Sequence, residues 1–73
     1  MDLKRLVGRN VRRLRREQRL SQEALAEKCG HAQQYISDLE QGKRNATLIS
    51  ISEIAQALGV SHLELFRTGA EKK

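Results

Sequence analysis

The stretch over residues 22–41, QEALAEKCGHAQQYISDLEQ, constrains this chain most tightly. Helix-forming residues run to Cys29, Gly30 interrupts them, and a second short helical pattern resumes by Gln33. Glycine takes positive φ with little penalty, so Gly30 reads as the stop of one helix and the pivot into the next. Ala26 and Gly30 are small where two helices must cross closely, and Ile36 and Leu39 supply the apolar side of the second helix. Two adjacent amides, Gln33 and Gln34, stand at the start of that second helix.

Two helices joined by a tight turn, with hydrogen-bonding side chains at the front of the second, make a helix-turn-helix of the kind that reads base edges in DNA. The charge balance agrees. The net charge is +5 and unevenly placed. Residues 1–20 hold eight Lys/Arg against Asp2 and Glu17, whereas residues 21–42 hold Lys28 against Glu23, Glu27, Asp38 and Glu40. Lys43 and Arg44 then restore a positive loop. Clustering of the surplus on one helix and one loop favours a polyanion that touches both.

Seventy-three residues allow one small domain with a thin core and no cleft between subdomains. The apolar spacing predicts an all-α five-helix bundle over residues 1–67, with residues 68–73 as a frayed tail. The first helix spans about residues 2–17, with Asp2 as N-cap and Leu3, Leu6, Val7, Val11 and Leu14 on one stripe. Arg9, Arg12, Arg13 and Arg16 point away from that stripe, and Arg15 lies at its edge. Ser21 caps the second helix, which buries Leu25, Ala26 and Cys29. The third runs from Ala32 or Gln33 to Gln41 and ends at Gly42. Thr47 caps the fourth, over about residues 48–58, with Leu48, Ile51, Ile54, Ala55 and Leu58 inward and Gly59 as its stop. Ser61 and Glu64 form the S-x-x-E pattern of a capping box at a short fifth helix, about residues 62–67. Leu20 and Val60 complete the expected core.

The blocks LSQEALAEKCG (residues 20–30), YISDLEQGKRN (residues 35–45) and IAQALGVS (residues 54–61) resemble, in order and with spacing intact, the Cro/C1-type helix-turn-helix regulators, also called the Xre family. The resemblance covers about residues 5–66 and implies five helices, operator binding as a dimer and transcriptional control. In size the chain is similar to restriction-modification controller proteins and small phage repressors. It departs from the pattern at Arg19, where relatives often carry glycine, at Ala46, where many carry proline, and in a less basic front of the third helix. Arginine in a left-handed conformation at residue 19 would cost on the order of 1 kcal/mol.

Gln33 and Gln34 are the expected base readers, because an amide donates and accepts together and so matches adenine N6 and N7. Ser37 and Asp38 lie one turn further on the same face. Asp38 either accepts from cytosine N4 or excludes wrong sites by repelling phosphate. Gln22 matches the family position that bonds a phosphate at the start of the second helix, where backbone amides favour an anion. Lys43, Arg44 and Asn45 meet the backbone beyond the third helix, and Arg9 and Arg12 reach it from the first. Tyr35 bonds phosphate through its hydroxyl or packs. Arg15 and Glu40 resemble the family's arginine–glutamate pair, which sets the angle of the third helix against the first.

A lone cysteine forms no internal disulfide and points to the cytoplasm, and no stretch has the length of a membrane span. Cys29 on an apolar face is a small hydrophobe, and His31 and His62 lack metal-ligand spacing. No catalytic arrangement, cofactor motif or small-molecule site is evident, so no enzyme activity is expected. The leading function is a sequence-specific transcription regulator on double-stranded operator DNA, with RNA polymerase open as a further partner. Its homodimer would use Ile49, Leu63, Leu65 and Phe66, although helix phase does not say which of these fill the monomer core. The alternative is an antitoxin-type interaction module with secondary DNA binding. That reading usually requires a segment beyond the domain, and only about six residues follow the fifth helix.

Overall fold

The structure is a computed structural model and describes residues 2–68. Four α-helices follow in order: α1 (Leu3–Glu17), α2 (Gln22–Cys29), α3 (Gln33–Glu40) and α4 (Leu48–Leu58). A 3-10 helix at His62–Phe66 closes the described chain. Among the described residues there is no strand.

Local chemistry explains each boundary. Asp2 accepts from the Arg5 amide, Ser21 from the Ala24 amide and Thr47 from the Ser50 amide, each relieving an orphan donor of the first turn. At Thr47 the cap is reciprocal, since the Ser50 hydroxyl accepts from the Thr47 amide. Gly30 and Gly59 end α2 and α4 with φ of 79° and 71°. Arg19 takes the same left-handed position after α1, at φ 59°, the only positive φ outside glycine among the described residues. Its neighbours close the helix with bonds from the Arg19 amide to the Arg16 carbonyl (3.0 Å) and from the Leu20 amide to the Arg15 carbonyl (3.0 Å).

The fifth element differs from expectation. It is a single 3-10 turn, and the Ser61 hydroxyl accepts from the Leu63 amide at 3.2 Å. Glu64 does not close a capping box; its carboxylate takes the Arg67 guanidinium at 3.1 Å instead. The carbonyls of Leu65 and Arg67 are claimed from outside by buried Asn10 of α1, whose Nδ2 donates to them at 2.9 and 3.0 Å. Five residues tied down at their end have little to gain from the longer α-helical repeat.

The core joins Val7, Val11 and Leu14 of α1 to Leu25, Ala26, Cys29, Ile36, Leu39, Ile51, Ile54, Ala55, Leu58 and Leu65. Leu20 and Val60 pack against it half-buried. Two expected core residues lie outside. Leu48 is 85% exposed and Leu3 57%, because each stands in the first turn of its helix, beyond the neighbouring elements. Leu65 reverses in the other direction. It is fully buried in this one chain, so it is core and cannot also face a partner.

α1 lies across α3, α4 and the 3-10 helix, while α2 packs on α3 and α4. The approach of α1 to α3 is close at Gly8. A Cβ there would stand 2.2 Å from the Leu39 carbonyl oxygen, so only glycine fits without moving α3.

Candidate nucleic-acid interface

α2 and α3 form the expected helix-turn-helix, and the start of α3 is left open. Ala32 occupies its N-cap and makes no side-chain cap. Gln33 and Gln34 are exposed on its first turn. The Gln34 amide donates to Asp38 Oδ1 at 2.9 Å, one helical turn away. That bond fixes how Gln34 presents its carbonyl and occupies one acceptor position of Asp38. Ser37 is similarly engaged, accepting from Gln41 Nε2 at 3.1 Å. Three of the four expected base readers, Gln34, Ser37 and Asp38, are therefore held by side-chain bonds along α3 and its C-cap.

The angle of α3 is set from behind by a buried ion pair. Arg15 Nε meets Glu40 Oε2 at 2.6 Å and Arg15 Nη2 meets Glu40 Oε1 at 3.0 Å. The third guanidinium nitrogen donates to the Leu20 carbonyl at 2.7 Å. The Glu40 hydrogen bond holds the Arg15 guanidinium above its ordinary pKa, against the opposing effect of burial. Gln22 joins this cluster, its Nε2 donating to Glu40 Oε1 at 3.1 Å. The residue expected at a phosphate is thus half-buried, with its amide nitrogen turned toward the carboxylate and its carbonyl not so bound.

Beyond α3, Lys43, Arg44 and Asn45 are exposed in the loop. The Arg44 guanidinium lies over the Tyr35 ring, 4.7 Å from its centroid, and the His31 ring stacks on Tyr35 at 4.6 Å. The Tyr35 hydroxyl donates to Ser50 Oγ at 2.8 Å. Tyr35 therefore spans from the buried start of α4 to the basic loop, and its proton is committed inward. His31 Nε2 lies 2.8 Å from Glu53 Oε1, which ties the α2–α3 turn to α4.

On α1, Arg9 and Arg12 are exposed beside the end of α3. With Arg5, Glu40 and Gln41 they line an open concavity of about 300 Å³. Basic groups of α1 thus lie beside the C-terminal end of α3, the loop's Arg44 lies over Tyr35 nearer its start, and the neutral amides of Gln33 and Gln34 stand exposed at its front. This arrangement suits a charged backbone at the basic groups and hydrogen-bonding partners at the amides.

Sequence reasoning did not single out Gly8, Asn10, Gln18 or Gln41. Asn10 carried a signal: it is a polar residue at the helical phase of Leu6, Val7 and Leu14. Gln18, whose Nε2 donates to the Leu58 carbonyl at 2.6 Å, carried none, because its partner lies forty positions away.

Other chemistry has little support. Burial, as the largest effect, pushes the Cys29 thiol pKa up, the opposite of an activated thiolate. Among the described residues no group of three His, Cys, Asp or Glu comes together to hold a metal ion, and no helix is long and apolar enough to cross a membrane.

Comparison with known proteins matches residues 11–65 to the helix-turn-helix family model. An uncharacterized HTH-type transcriptional regulator, y4dJ of Sinorhizobium fredii, is 57% identical over 65 residues, 89% of this chain and 84% of that protein. Control protein C.BamHI of Bacillus amyloliquefaciens is 42% identical over 65 residues, covering 88% of this chain and 80% of that one. Among solved structures, the restriction-modification controller protein C.Esp1396I, a tetramer in complex with its natural 35 base-pair operator, superposes with a TM-score of 0.82. It is 33% identical, over 90% of this chain and 87% of that one. The chain belongs to the Cro/C1-type (Xre) helix-turn-helix family of DNA-binding transcription regulators, a family of binding proteins and not of enzymes.

Proposed function

We propose that this protein controls transcription in the cytoplasm by binding an inverted-repeat operator as a homodimer, in the manner of a restriction-modification controller. The observation that carries the reading is the α3 front, where Gln33 and Gln34 stand exposed, with Arg44 of the 43–45 loop over Tyr35 and the α1 arginines beside the far end of the same helix. Gln33 and Gln34 read base edges, with Asp38 orienting Gln34 and Ser37 one turn behind. Lys43, Arg44, Asn45, Arg9 and Arg12 hold the phosphates. Gln22 offers its carbonyl-bearing amide and the first amides of α2 to the same backbone. The solved complex of C.Esp1396I with its operator supports this use of the fold.

One recognition helix covers only a few base pairs. A two-fold dimer doubles the reading and sets the second α3 one DNA turn away, about 34 Å, so half-site centres fall about 10–11 base pairs apart. The dimer surface proposed is the exposed apolar patch of Ile49, Leu63 and Phe66, joined by Leu3 and Leu48. At Leu3, Leu48 and Phe66 a groove of about 240 Å³ opens, lined also by Val7, Leu39, Ala46 and Ile51 and flanked by Lys4 and Asn45. Leu65 takes no part.

Footprinting on DNA upstream of the gene tests the reading. A protected inverted repeat with that spacing is expected, together with a log–log salt slope of roughly −5 to −9 on the protected site. Protection of a single half-site by a sedimenting monomer would overturn the dimeric reading, and a slope near zero would overturn the electrostatic one.

A further inference from the structure

Asp38 brings a negative charge to a helix that meets a polyanion. Among the described residues its carboxylate takes a neutral amide and no cation. The amide is that of Gln34, one helical turn back, whose Nε2 donates to Asp38 Oδ1 at 2.9 Å. Neither side chain belongs to the buried stripe of Ile36, Leu39 and Glu40. Gln33 differs from its neighbour, because among the described residues no side-chain hydrogen bond holds it, and its carboxamide is free to turn either way.

The bond defines what each side chain has left to offer. Turning the Gln34 carboxamide over would set its carbonyl oxygen against the carboxylate, two acceptors with no proton between them. One orientation is therefore selected. In it Gln34 keeps its carbonyl and its second amide hydrogen, the two groups that adenine N6 and N7 require. Asp38 keeps Oδ2, which only accepts. In the major groove the only donors are the amino groups, cytosine N4 and adenine N6. Guanine and thymine turn oxygen lone pairs toward the charge, and adenine sets N7 beside its amino group, so cytosine is the base that suits a carboxylate. Four residues of an α-helix rise about 6 Å, so the two side chains reach bases within about two steps of about 3.4 Å each.

We propose that Gln34 and Asp38 read DNA as one unit, with Asp38 as the specificity-determining residue. One carboxylate oxygen holds Gln34 in its adenine-reading orientation, and the other accepts from cytosine N4 within about two base-pair steps. The proposal rests on the operator-binding reading given above and assigns two linked bases of each half-site.

The test uses the full chain. Wild type selects a duplex from a random pool, and every single base-pair substitution of that duplex is measured by fluorescence anisotropy at one salt concentration. Circular dichroism melts establish that each variant is folded. Gln34→Ala locates the adenine position, because it flattens the preference there. Wild type should require cytosine within about two steps of it, and a wrong base at either position should cost roughly 5- to 150-fold in affinity. Asp38→Ala should flatten the cytosine position and also lower the discrimination for adenine by at least about threefold, as coupled residues do. The position read by Gln33 should keep its preference in the same variant. Asp38→Asn retains a carbonyl for the Gln34 amide but turns a donor outward, so it should lose the cytosine preference and keep that for adenine. An adenine preference left intact by Asp38→Ala would overturn the proposal, since the two residues would then read independently. So would the lack of a nearby cytosine in the selected duplex, or a cytosine preference that survives Asp38→Asn. A gain of Asp38→Ala on other bases with no loss on cytosine would mean exclusion alone, and it overturns the proposal too. Failure of the operator reading is separate: it appears as equal affinity of wild type for the selected and a fully scrambled duplex.

Discussion

Arg15 and Glu40 form a bidentate pair between α1 and α3 in which neither side chain is free to leave, with the arginine side chain 11% exposed and the glutamate side chain 3%. Glu40 also accepts from Gln22, and Arg15 also donates to the Leu20 carbonyl, so three elements meet at one carboxylate. The pair fixes α3 at its C-terminal end, while Gly8 allows the α3 backbone to approach α1 alongside it. The orientation of α3 is thus set from behind, by the Arg15–Glu40 pair and the close approach at Gly8.

Glu40→Ala should accordingly destabilise the fold by about 3–5 kcal/mol, since it leaves a buried guanidinium unpaired. Denaturant melts measure this directly. A change under about 1 kcal/mol would place the pair with exposed salt bridges, which contribute little, and would remove its structural role.

Arg19→Gly should act in the opposite direction. Arginine at φ 59° carries the steric cost of a left-handed residue, and it is exposed with nothing to gain from its side chain. Glycine removes that cost but adds unfolded-state entropy, so a net gain of about 0.5–1 kcal/mol is expected. In a domain of this size that corresponds to a rise in Tm of a few degrees, about 4–8 °C per kcal/mol. An unchanged or lowered Tm would show that the Arg19 side chain makes a stabilising contact.

How far the sequence reveals this molecule follows from how local each determinant is. Three of the α-helices were legible because Asp2, Ser21 and Thr47 cap α1, α2 and α4 and Gly30 and Gly59 stop α2 and α4, through bonds spanning a few residues, whereas α3, with no side-chain cap, was legible from its apolar spacing between Gly30 and Gly42. The left-handed position of Arg19 was legible only by resemblance, as one of two alternatives at a place where relatives often carry glycine. The pair of Arg15 and Glu40 was legible only by resemblance, since twenty-five positions separate the two. The 3-10 turn was not legible: three residues per turn, not 3.6, puts Leu65 inward and Leu63 outward, and that choice depends on Asn10 holding the turn from another helix. For the same reason the commitments of Gln22 to Glu40 and of the Tyr35 hydroxyl to Ser50 appear only when helices distant in sequence come together.

The inward turn of Leu65 separates two classes of variant. Leu65→Ala should cost about 2–5 kcal/mol through the cavity it leaves, at any protein concentration. Ile49→Glu and Leu63→Glu alter residues that are 69% and 67% exposed, so monomer stability should change by less than about 0.5 kcal/mol. If the proposed dimer surface is right, these two shift sedimentation toward monomer and weaken operator binding together. Unchanged sedimentation in both would remove the apolar patch from the interface.

Tyr35 separates a structural from a positioning role within one side chain. Its hydroxyl donates to Ser50 Oγ, which in turn donates to the Thr47 carbonyl and accepts the Thr47 amide, so the ring is locked to the start of α4. The same ring carries Arg44 at 4.7 Å and stacks on His31. Tyr35→Phe keeps the ring and loses one hydrogen bond, so it should cost about 0.5–1.5 kcal/mol of stability and leave DNA affinity within about twofold. Tyr35→Ala removes the platform under Arg44, a contact of about 0.5–1 kcal/mol at an exposed site. It should weaken binding to cognate and random duplexes alike, because Arg44 is assigned to the backbone and reads no base. Fluorescence anisotropy on both duplexes, read beside a thermal melt, distinguishes the outcomes. If Tyr35→Phe lowers affinity as much as Tyr35→Ala does, the hydroxyl itself touches DNA, and the ring is not the part that positions Arg44.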